Sequence, residues 1–199
     1  ILGEPSILAE IELILATSTL VGKLDFEDFT IRINDRKILK AMAAYSGFPE
    51  ESYDLVFIIL DKMDKIGAEG VAAELEKEGF AKESVEKYLK LFEEITNDLA
   101  GVIRLKELLG DYLDEKVAKD METIIESVNA VKTANFKIEF DPTLVRGMSY
   151  YTGPIFEISI DGFGGSVGGG GRYDEMVGKF TGQQGGRPGK KACHERGRQ

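Results

Sequence analysis

The stretch FTIRIN, residues 29–34, alternates apolar and polar side chains, so its three apolar residues fall on one side of an extended chain. The same alternation returns only after residue 135, in FKIEF, residues 136–140, and in IFEISI, residues 155–160. Half-apolar strands of this kind form a sheet that is packed on one face and polar on the other. The sequence therefore predicts an antiparallel sheet covered by helices on one side, with room for a ligand over the other.

Helical periodicity dominates the chain between these strands. SILAEIELILATSTLV predicts a first helix capped by Ser6, and a second helix is predicted to begin after Asp35 and to end near Gly47. Residues 46–134 then show amphipathic runs throughout, such as KESVEKYLKLFEEITNDL, residues 82–99. The predicted breaks in this block fall at Pro49, Gly79, Gly101 and Gly110. We interpret the block as a helical insertion, because a structureless connection of that length is implausible. Its apolar stripes are interpreted as core.

The composition limits the class of protein. The 199 residues are 43% hydrophobic and 30% charged, which predicts a globular chain. A net charge of −10 argues against wrapping nucleic acid by charge alone. No stretch approaches the roughly 20 apolar residues of a membrane span, and Ile1 opens no secretory leader, so we expect no membrane association and a cytoplasmic location. Cys193 and His194 are the single cysteine and histidine, and as sequence neighbours they predict neither a metal site nor a nucleophile pair.

A glycine-bounded loop, LVRGMSYYTG at residues 144–153, carries the first candidates for chemistry. Arg146 offers a planar, permanently charged fork that suits a carboxylate or a phosphate, although a surface ion pair would also explain it. Neighbouring side chains of an extended segment point to opposite faces. We therefore expect one of Tyr150 and Tyr151 to enter the core and the other to meet a ligand, with simple packing of both as the alternative.

A glycine run follows in GGSVGGGGRYDEMVGKF, residues 164–180. Four consecutive glycines in a strand indicate close approach of the backbone to a ligand or to another chain. No Lys-Ser or Lys-Thr pair follows them, and the strand, turn, helix and acidic partner of a dinucleotide fingerprint are missing, so both phosphate-loop interpretations fail. Arg172, Tyr173 and Asp174 are predicted to open a helix that buries Met176, Val177 and Phe180.

Taken together, LVRGMSYYTGPIFEI and GGGGRYDEMVGKF closely resemble the two signature segments of histidyl-tRNA synthetases, which are class II aminoacyl-tRNA synthetases. The opening ILGEPSILAEIELI resembles the segment that follows motif 2 in that family. The resemblance implies an α+β fold, with part of an antiparallel class II synthetase-like sheet flanked by helices and a helical insertion domain. It divides the chain into a catalytic-domain segment at 1–45, the insertion at 46–134 and the histidine-binding strands at 135–184. The basic residues 185–199 depart from the family and suggest a foreign or frame-shifted tail.

The resemblance also implies roles for individual residues. Arg146 would stabilise the reacting α-phosphate and carboxylate, while Tyr151 and Tyr173 would contact the imidazole or amine of histidine. The histidine pocket would be lined by backbone of Gly169, Gly170 and Gly171. Supporting roles fall to Tyr150, Glu157 and Arg172.

The implied substrates are histidine, ATP and tRNA(His), with Mg²⁺ accompanying ATP and no protein ligand assigned to it. The implied assembly is a homodimer. Motif 1 and the ATP-binding arginines of motifs 2 and 3 are missing from this chain, which suggests a truncated protein that does not activate histidine alone. A non-catalytic synthetase-like regulatory or tRNA-sensing protein is the alternative. A helical interaction domain would leave the glycine run unexplained.

Overall fold

The computed structural model describes residues 1–26, 28–146, 150–162 and 165–176. Its helices are α1 (Leu8–Lys23), α2 (Arg36–Ser46), α3 (Tyr53–Leu60), α4 (Met63–Lys77), α5 (Lys82–Glu94), α6 (Leu99–Leu109) and α7 (Glu115–Val131). Its strands are β1 (Phe29–Asp35), β2 (Phe136–Phe140), β3 (Pro154–Ser159) and β4 (Ser166–Gly171). The predicted alternation of helical and period-two segments is confirmed.

The four strands form one sheet in the order β2, β1, β3, β4. β1 pairs antiparallel with β3, and β3 pairs antiparallel with β4, as predicted. The pairing of β1 with β2 is parallel, which the prediction of a wholly antiparallel sheet missed. The helices between these two strands give the chain enough length to cross over and return in the same direction. The fold is therefore α+β with a mixed sheet.

One face of the sheet is apolar and packed. The buried side chains of this face come from alternate positions of β1, β2 and β3, namely Phe29, Ile31, Ile33, Phe136, Ile138, Phe140, Phe156 and Ile158. Helix α7 packs against β1 and β2, and α1 packs against α7. Leu13 of α1 reaches the β3–β4 end, near Phe156 and Gly170. This burial is the main stabilising contribution to the sheet.

The other face of the sheet carries charged side chains. Arg32 in β1 lies directly opposite Glu157 in the register of β3, so both side chains point to the same side. Asp64, in the first turn of α4, also reaches Arg32 with its Oδ2 3.3 Å from Nη1. The helical block thus touches the edge of this polar face.

The ends of α2 follow the local sequence, whereas the break predicted at Gly101 does not occur. Asp35 accepts a hydrogen bond from the Lys37 amide as the N-cap of α2, and Gly47 ends that helix in the left-handed region at φ 87°, as predicted. Helix α1 begins at Leu8, one residue later than predicted, and the hydroxyl of Ser6 accepts a hydrogen bond from the Leu8 amide at 3.4 Å, as the predicted cap requires. Gly101 does not break a helix but lies in the first turn of α6, where a Cβ atom would collide with the carbonyl of Thr96, so that this position requires glycine.

Candidate functional site

Arg146 lies beyond the end of β2 and turns back over the polar face of the sheet. Its Nη1 lies 2.8 Å from Oε2 of Glu157, and its side chain is 26% exposed. Its backbone has φ 52°, in the left-handed region that side chains other than glycine seldom adopt. Such backbone conformations concentrate at functional sites, where the surrounding structure holds them. Arg146 is thus ion-paired, but the pair is half-buried rather than the simple surface pair of the alternative interpretation.

The glycines of β4 make room for this arginine. Gly169 faces Glu157 across the β3–β4 pair, on the polar side of the sheet. A Cβ atom at Gly169 would lie 3.0 Å from Cζ and Nη1 of Arg146 and 2.7 Å from the carbonyl oxygen of Phe156. The close approach that the glycine run predicts is thus made, at this position, by a side chain of the same protein.

The next two glycines point to opposite sides of the sheet. Gly171 lies on the polar side, and a Cβ atom there would be 2.9 Å from Cδ1 of Tyr151. Gly170 lies on the apolar side, where its Cβ would meet the ring of Phe156 at 3.2 Å. Any pocket lining by Gly170 on the polar side would have to come from its backbone, and this role remains a prediction.

Three tyrosines gather beside Arg146. The ring centroids of Tyr150 and Tyr151 are 4.5 Å apart, and Tyr173 lies 6.0 Å from the first and 6.4 Å from the second. The prediction that Tyr150 and Tyr151 point to opposite faces is wrong, because Tyr150 lies in a turn rather than in an extended strand. Tyr151 is buried, whereas Tyr173 is 48% exposed. We call these three residues the tyrosine cluster.

The hydroxyl of Tyr151 is held in its neutral form. Burial raises the pKa of Tyr151, and a hydrogen bond and the charge of Tyr150 raise it further. The positive charge of Arg146 acts in the opposite direction without reversing the shift. A neutral phenol can both donate and accept a hydrogen bond, so Tyr151 suits a ligand with a ring nitrogen or an amine.

Glu157 bridges two guanidinium groups. Its Oε1 lies 2.7 Å from Nη2 of Arg32, and its Oε2 binds Arg146. Burial alone raises the pKa of Glu157, but hydrogen bonds to the two arginines and their charges outweigh it, so the pKa is lowered overall. Nη1 of Arg32 is also bonded to Asp141 at 3.0 Å. Glu157 is thus a fixed carboxylate in the centre of the site.

Arg32 and Asp141 were not predicted from the sequence. Arg32 stands on the polar side of FTIRIN, in the same alternation that singled out Glu157 on IFEISI, so a signal was present. Its partner could not be identified, because Arg32 and Glu157 are 125 residues apart and only the pairing register of the strands brings them together.

Arg172 connects the site to α1. Its Nε and Nη2 lie 2.7 and 2.8 Å from the two oxygens of Glu10, which is buried in the first turn of that helix. Its Nη2 also donates to the carbonyl of Ser6, and its Nη1 lies 3.4 Å from Asp174. A two-point guanidinium–carboxylate pair of this kind fixes the direction of both partners. Arg172 therefore holds the end of β4, and Tyr173 after it, against α1.

The described residues do not offer a magnesium site. No group of three or more His, Cys, Asp or Glu side chains suited to a metal ion occurs among residues 1–26, 28–146, 150–162 and 165–176. Both oxygens of Glu157 already bind guanidinium groups.

Cys193, His194 and the predicted helix beyond Met176 lie outside the described residues. Within the described part of the chain, no helix is both long and apolar enough to pass through a bilayer.

The geometry combines a held cation, a neutral phenol and bare backbone over one sheet face. This arrangement can bind a molecule that carries an anionic group next to a ring or an amine. The Arg146 guanidinium has five N–H donors, more than its hydrogen bonds to Glu157 and to Tyr151 can use. The polar face is therefore equipped to bind and orient such a molecule.

Comparison with known proteins identifies the family. A sequence model described as histidyl-tRNA synthetase matches residues 1–189. The histidine–tRNA ligase of Leifsonia xyli subsp. xyli is 45% identical over 190 residues, covering 92% of this chain. The crystal structure of histidyl-tRNA synthetase from Nostoc sp. PCC 7120 superposes with a TM-score of 0.76 at 30% identity, over 90% of this chain.

A third similarity extends the fold to another class of protein. A Bacillus halodurans structure titled as an ATP phosphoribosyltransferase regulatory subunit/histidyl-tRNA synthetase superposes with a TM-score of 0.73 at 21% identity, which shows a shared fold. It covers 91% of this chain and 46% of its own length. This chain likewise spans 43% of the Leifsonia protein and 43% of the Nostoc protein. On its sequence match and its fold, the chain belongs to the histidyl-tRNA synthetase family.

Proposed function

We propose that this chain is part of a ligase that activates histidine with ATP to histidyl-adenylate and transfers the histidyl group to tRNA(His). The observation that carries the proposal is the placement of Arg146, whose guanidinium lies on the bare backbone of Gly169 and beside the tyrosine cluster. In the relatives named above, this stretch is part of a histidine–tRNA ligase.

The proposed chemistry is an in-line displacement at phosphorus. A carboxylate oxygen of histidine forms a bond to the α-phosphorus of ATP, the bond to the bridging oxygen breaks, and pyrophosphate leaves with the electron pair. Both reactants are negatively charged, so a fixed positive group that faces the reacting oxygens lowers the barrier. In this proposal Arg146 supplies that charge with the N–H donors that Glu157 and Tyr151 do not use. Mg²⁺ would accompany ATP, and no step is assigned to a protein ligand of it.

The other predicted residues take roles around this centre. Tyr151 and Tyr173 would bind the imidazole or amine of histidine, and Gly169, Gly170 and Gly171 would line the pocket. Tyr150 would support Tyr151 through the contact between their rings. Glu157 would hold Arg146, and Arg172 would hold the end of β4.

The remaining properties concern the whole protein, of which this chain spans 43% of the length seen in the Leifsonia relative. We propose a homodimer in the cytoplasm. We also propose the domain division predicted from sequence, with residues 1–45 and 135–184 in the catalytic domain, residues 46–134 in an insertion that touches the acceptor arm of tRNA(His), and a foreign tail at 185–199.

The test uses a completed ligase, defined as the Leifsonia xyli enzyme in which the stretch aligned with residues 1–184 of this chain is replaced by those residues. Histidine-dependent exchange of pyrophosphate into ATP is measured for the completed ligase and its Arg146→Ala variant. Loss of a preorganised donor of this kind slows catalysis by about 10²–10³. The 199-residue chain alone is expected to be inactive.

Arg104→Ala is the matched control, because Arg104 is a surface arginine on α6 that is paired with Glu94 and Glu107. Its exchange rate should stay near that of the unsubstituted completed ligase. An active Arg146→Ala variant would refute the catalytic role of Arg146. An inactive but folded completed ligase would favour the alternative of a non-catalytic regulatory or tRNA-sensing relative.

A further inference from the structure

Four charged side chains form a continuous chain across the polar face of the sheet. Asp141 binds Arg32, Arg32 binds Glu157, and Glu157 binds Arg146, with distances of 3.0, 2.7 and 2.8 Å in that order. Positive and negative groups alternate along it. Arg146 is the one member that lies in a loop next to the tyrosine cluster, and the other three extend from the sheet or from the residue directly after β2.

The far end of this chain is rigid. The Asp141 side chain is only 4% exposed, and its Oδ1 accepts hydrogen bonds from the amide and the hydroxyl of Thr143 at 2.8 and 2.7 Å. The Asp141 amide donates to the carbonyl of Ile33 at 2.9 Å. Arg32 and Glu157 are directly paired on adjacent strands. The position of Arg32 is therefore set by the sheet.

Arg32 also decides how many oxygens Glu157 can offer to Arg146. A carboxylate that is free on both oxygens binds a guanidinium with two parallel hydrogen bonds. Such a pair would use two of the N–H donors on one edge of Arg146 and turn that edge toward Glu157 instead of toward a substrate. In the structure, Arg32 binds Oε1 and Arg146 has only Oε2.

We propose that Arg32 is a positioning residue for Arg146: by binding Oε1 of Glu157, it limits Arg146 to one hydrogen bond with that carboxylate and leaves the remaining N–H donors of the guanidinium for Tyr151 and the substrate. This inference rests on the proposed function of the site. Arg32 does not touch the substrate in this scheme, and its effect passes through Glu157.

The test is a double-mutant cycle in the completed ligase. Arg32→Ala should lower kcat for pyrophosphate exchange about tenfold, as expected for coupled neighbours, while KM for histidine changes less than about twofold. The same substitution should have no further effect in an Arg146→Ala background. Arg32→Lys should recover most of the rate, because its ammonium can still bind Oε1. If Arg32→Ala does not fold, Arg32→Gln replaces it in the same cycle, since it removes the charge from a side chain of similar length.

Equal fold-losses in both backgrounds, or an unchanged kcat, would overturn the positioning role. The proposed function fails in a different way, through an active Arg146→Ala variant or an inactive completed ligase. A second measurement does not need activity, since the NMR signals of the Arg146 guanidinium in the 199-residue chain should move with Arg32→Ala. Asp64→Ala is the control, because Asp64 binds the same Arg32 guanidinium but is 69% exposed. Equal shifts from the two substitutions would also overturn the proposal.

Discussion

Ion pairs in the helical block differ from those on the polar face of the sheet. Lys90 and Glu94 lie one turn apart on α5. Nζ of Lys90 is 3.5 Å from Oε1 of Glu94, and the lysine side chain is 70% exposed. Arg32 and Glu157 lie 2.7 Å apart and 125 residues apart in sequence, and their side chains are 26% and 14% exposed. Exposed pairs within one helix contribute only about 0.3–0.5 kcal/mol. Removing one partner of a desolvated pair strands the other charge, which is far more costly.

The difference separates two uses of charge in one chain. The helical pairs lie on solvated surfaces, and each can be substituted without a large loss of stability. The pairs across the sheet hold Arg146 beside the tyrosine cluster, and they exist only when the strands are in register. Substitutions should therefore have large effects on the polar face and small effects in the helical block.

Gly169→Ala should have the largest effect. Its methyl group would collide with the Phe156 carbonyl and with the Arg146 guanidinium, at 2.7 and 3.0 Å. Because a backbone atom cannot give way as a flexible side chain can, we expect a loss of about 3 kcal/mol in the unfolding free energy of the 199-residue chain in urea. Exchange by the completed ligase should fall at least about 100-fold, as for loss of Arg146.

Gly168→Ala is the matched control on the neighbouring position of β4. A Cβ atom there meets only Cδ1 of Ile158, at 3.8 Å, which is ordinary contact. Its unfolding free energy should stay within about 0.5 kcal/mol of the unsubstituted chain. If the two alanines proved equally tolerated, bare backbone under Arg146 would not be a requirement of the site.

Two aspartates that cap helices extend the comparison to pH. Asp35 caps α2 and is buried, and burial raises its pKa to about 6 in spite of the Lys37 amide that lowers it. Asp98 caps α6 at the surface, where hydrogen bonds from the Thr96 hydroxyl and the Gly101 amide lower its pKa. The same capping role thus has opposite linkage to protons in the two regions.

Asp35→Asn tests this linkage. Between pH 4 and 6 the folded chain binds more protons at Asp35 than the unfolded chain does, so its unfolding free energy should fall as pH rises, by about 3 kcal/mol at most. Asparagine keeps the cap and cannot titrate. The stability of the variant relative to the unsubstituted chain should therefore rise across this window, as measured by urea unfolding at several pH values.

Asp98→Asn is the control with the opposite sign. A lowered pKa gives stability that is present above the ordinary value and is lost as pH falls through the folded value. The variant should therefore lose stability relative to the unsubstituted chain as pH rises through the acid range. If the relative stabilities of the two variants changed with pH in the same direction, burial of Asp35 would not give it a proton linkage opposite to that of Asp98.

Features decided by neighbouring residues were predictable from the sequence, and those decided by register were not. The alternation of FTIRIN, the Asp35 cap and the Gly47 stop depend on local geometry, and the structure has all three. The parallel direction of β2 and the partner of Arg32 depend on how distant strands align. The prediction for Tyr150 and Tyr151 was wrong for a local reason, since Tyr150 lies in a turn and side chains alternate between faces only in an extended segment.

The family resemblance supplied what periodicity could not. It grouped Arg146, Tyr151 and the glycines before any contact between them was known, and the structure brings Gly169 and Gly171, although not Gly170, to the face that carries Arg146 and Tyr151. It gave no indication of Arg32 or Asp141, because they lie outside the two signature segments. The supporting residues of a site are the part that needs coordinates, since their only shared property is position in space.

Glu157→Ala should change the unfolding free energy less than Gly169→Ala, and it compares the ion pairs of the sheet directly with those of the helical block. Its removal would leave the guanidinium groups of Arg32 and Arg146 facing each other across a half-buried space without their shared carboxylate. We expect a loss of about 2 kcal/mol in unfolding free energy, less than for a fully buried pair because water reaches both arginines. Glu86→Ala on α5 is the control, since Glu86 is 68% exposed and 3.7 Å from Lys82, and its change should stay within about 0.5 kcal/mol. Equal losses in urea unfolding would mean that the two kinds of ion pair stabilise the chain alike, and that the sheet network contributes orientation of Arg146 without added stability.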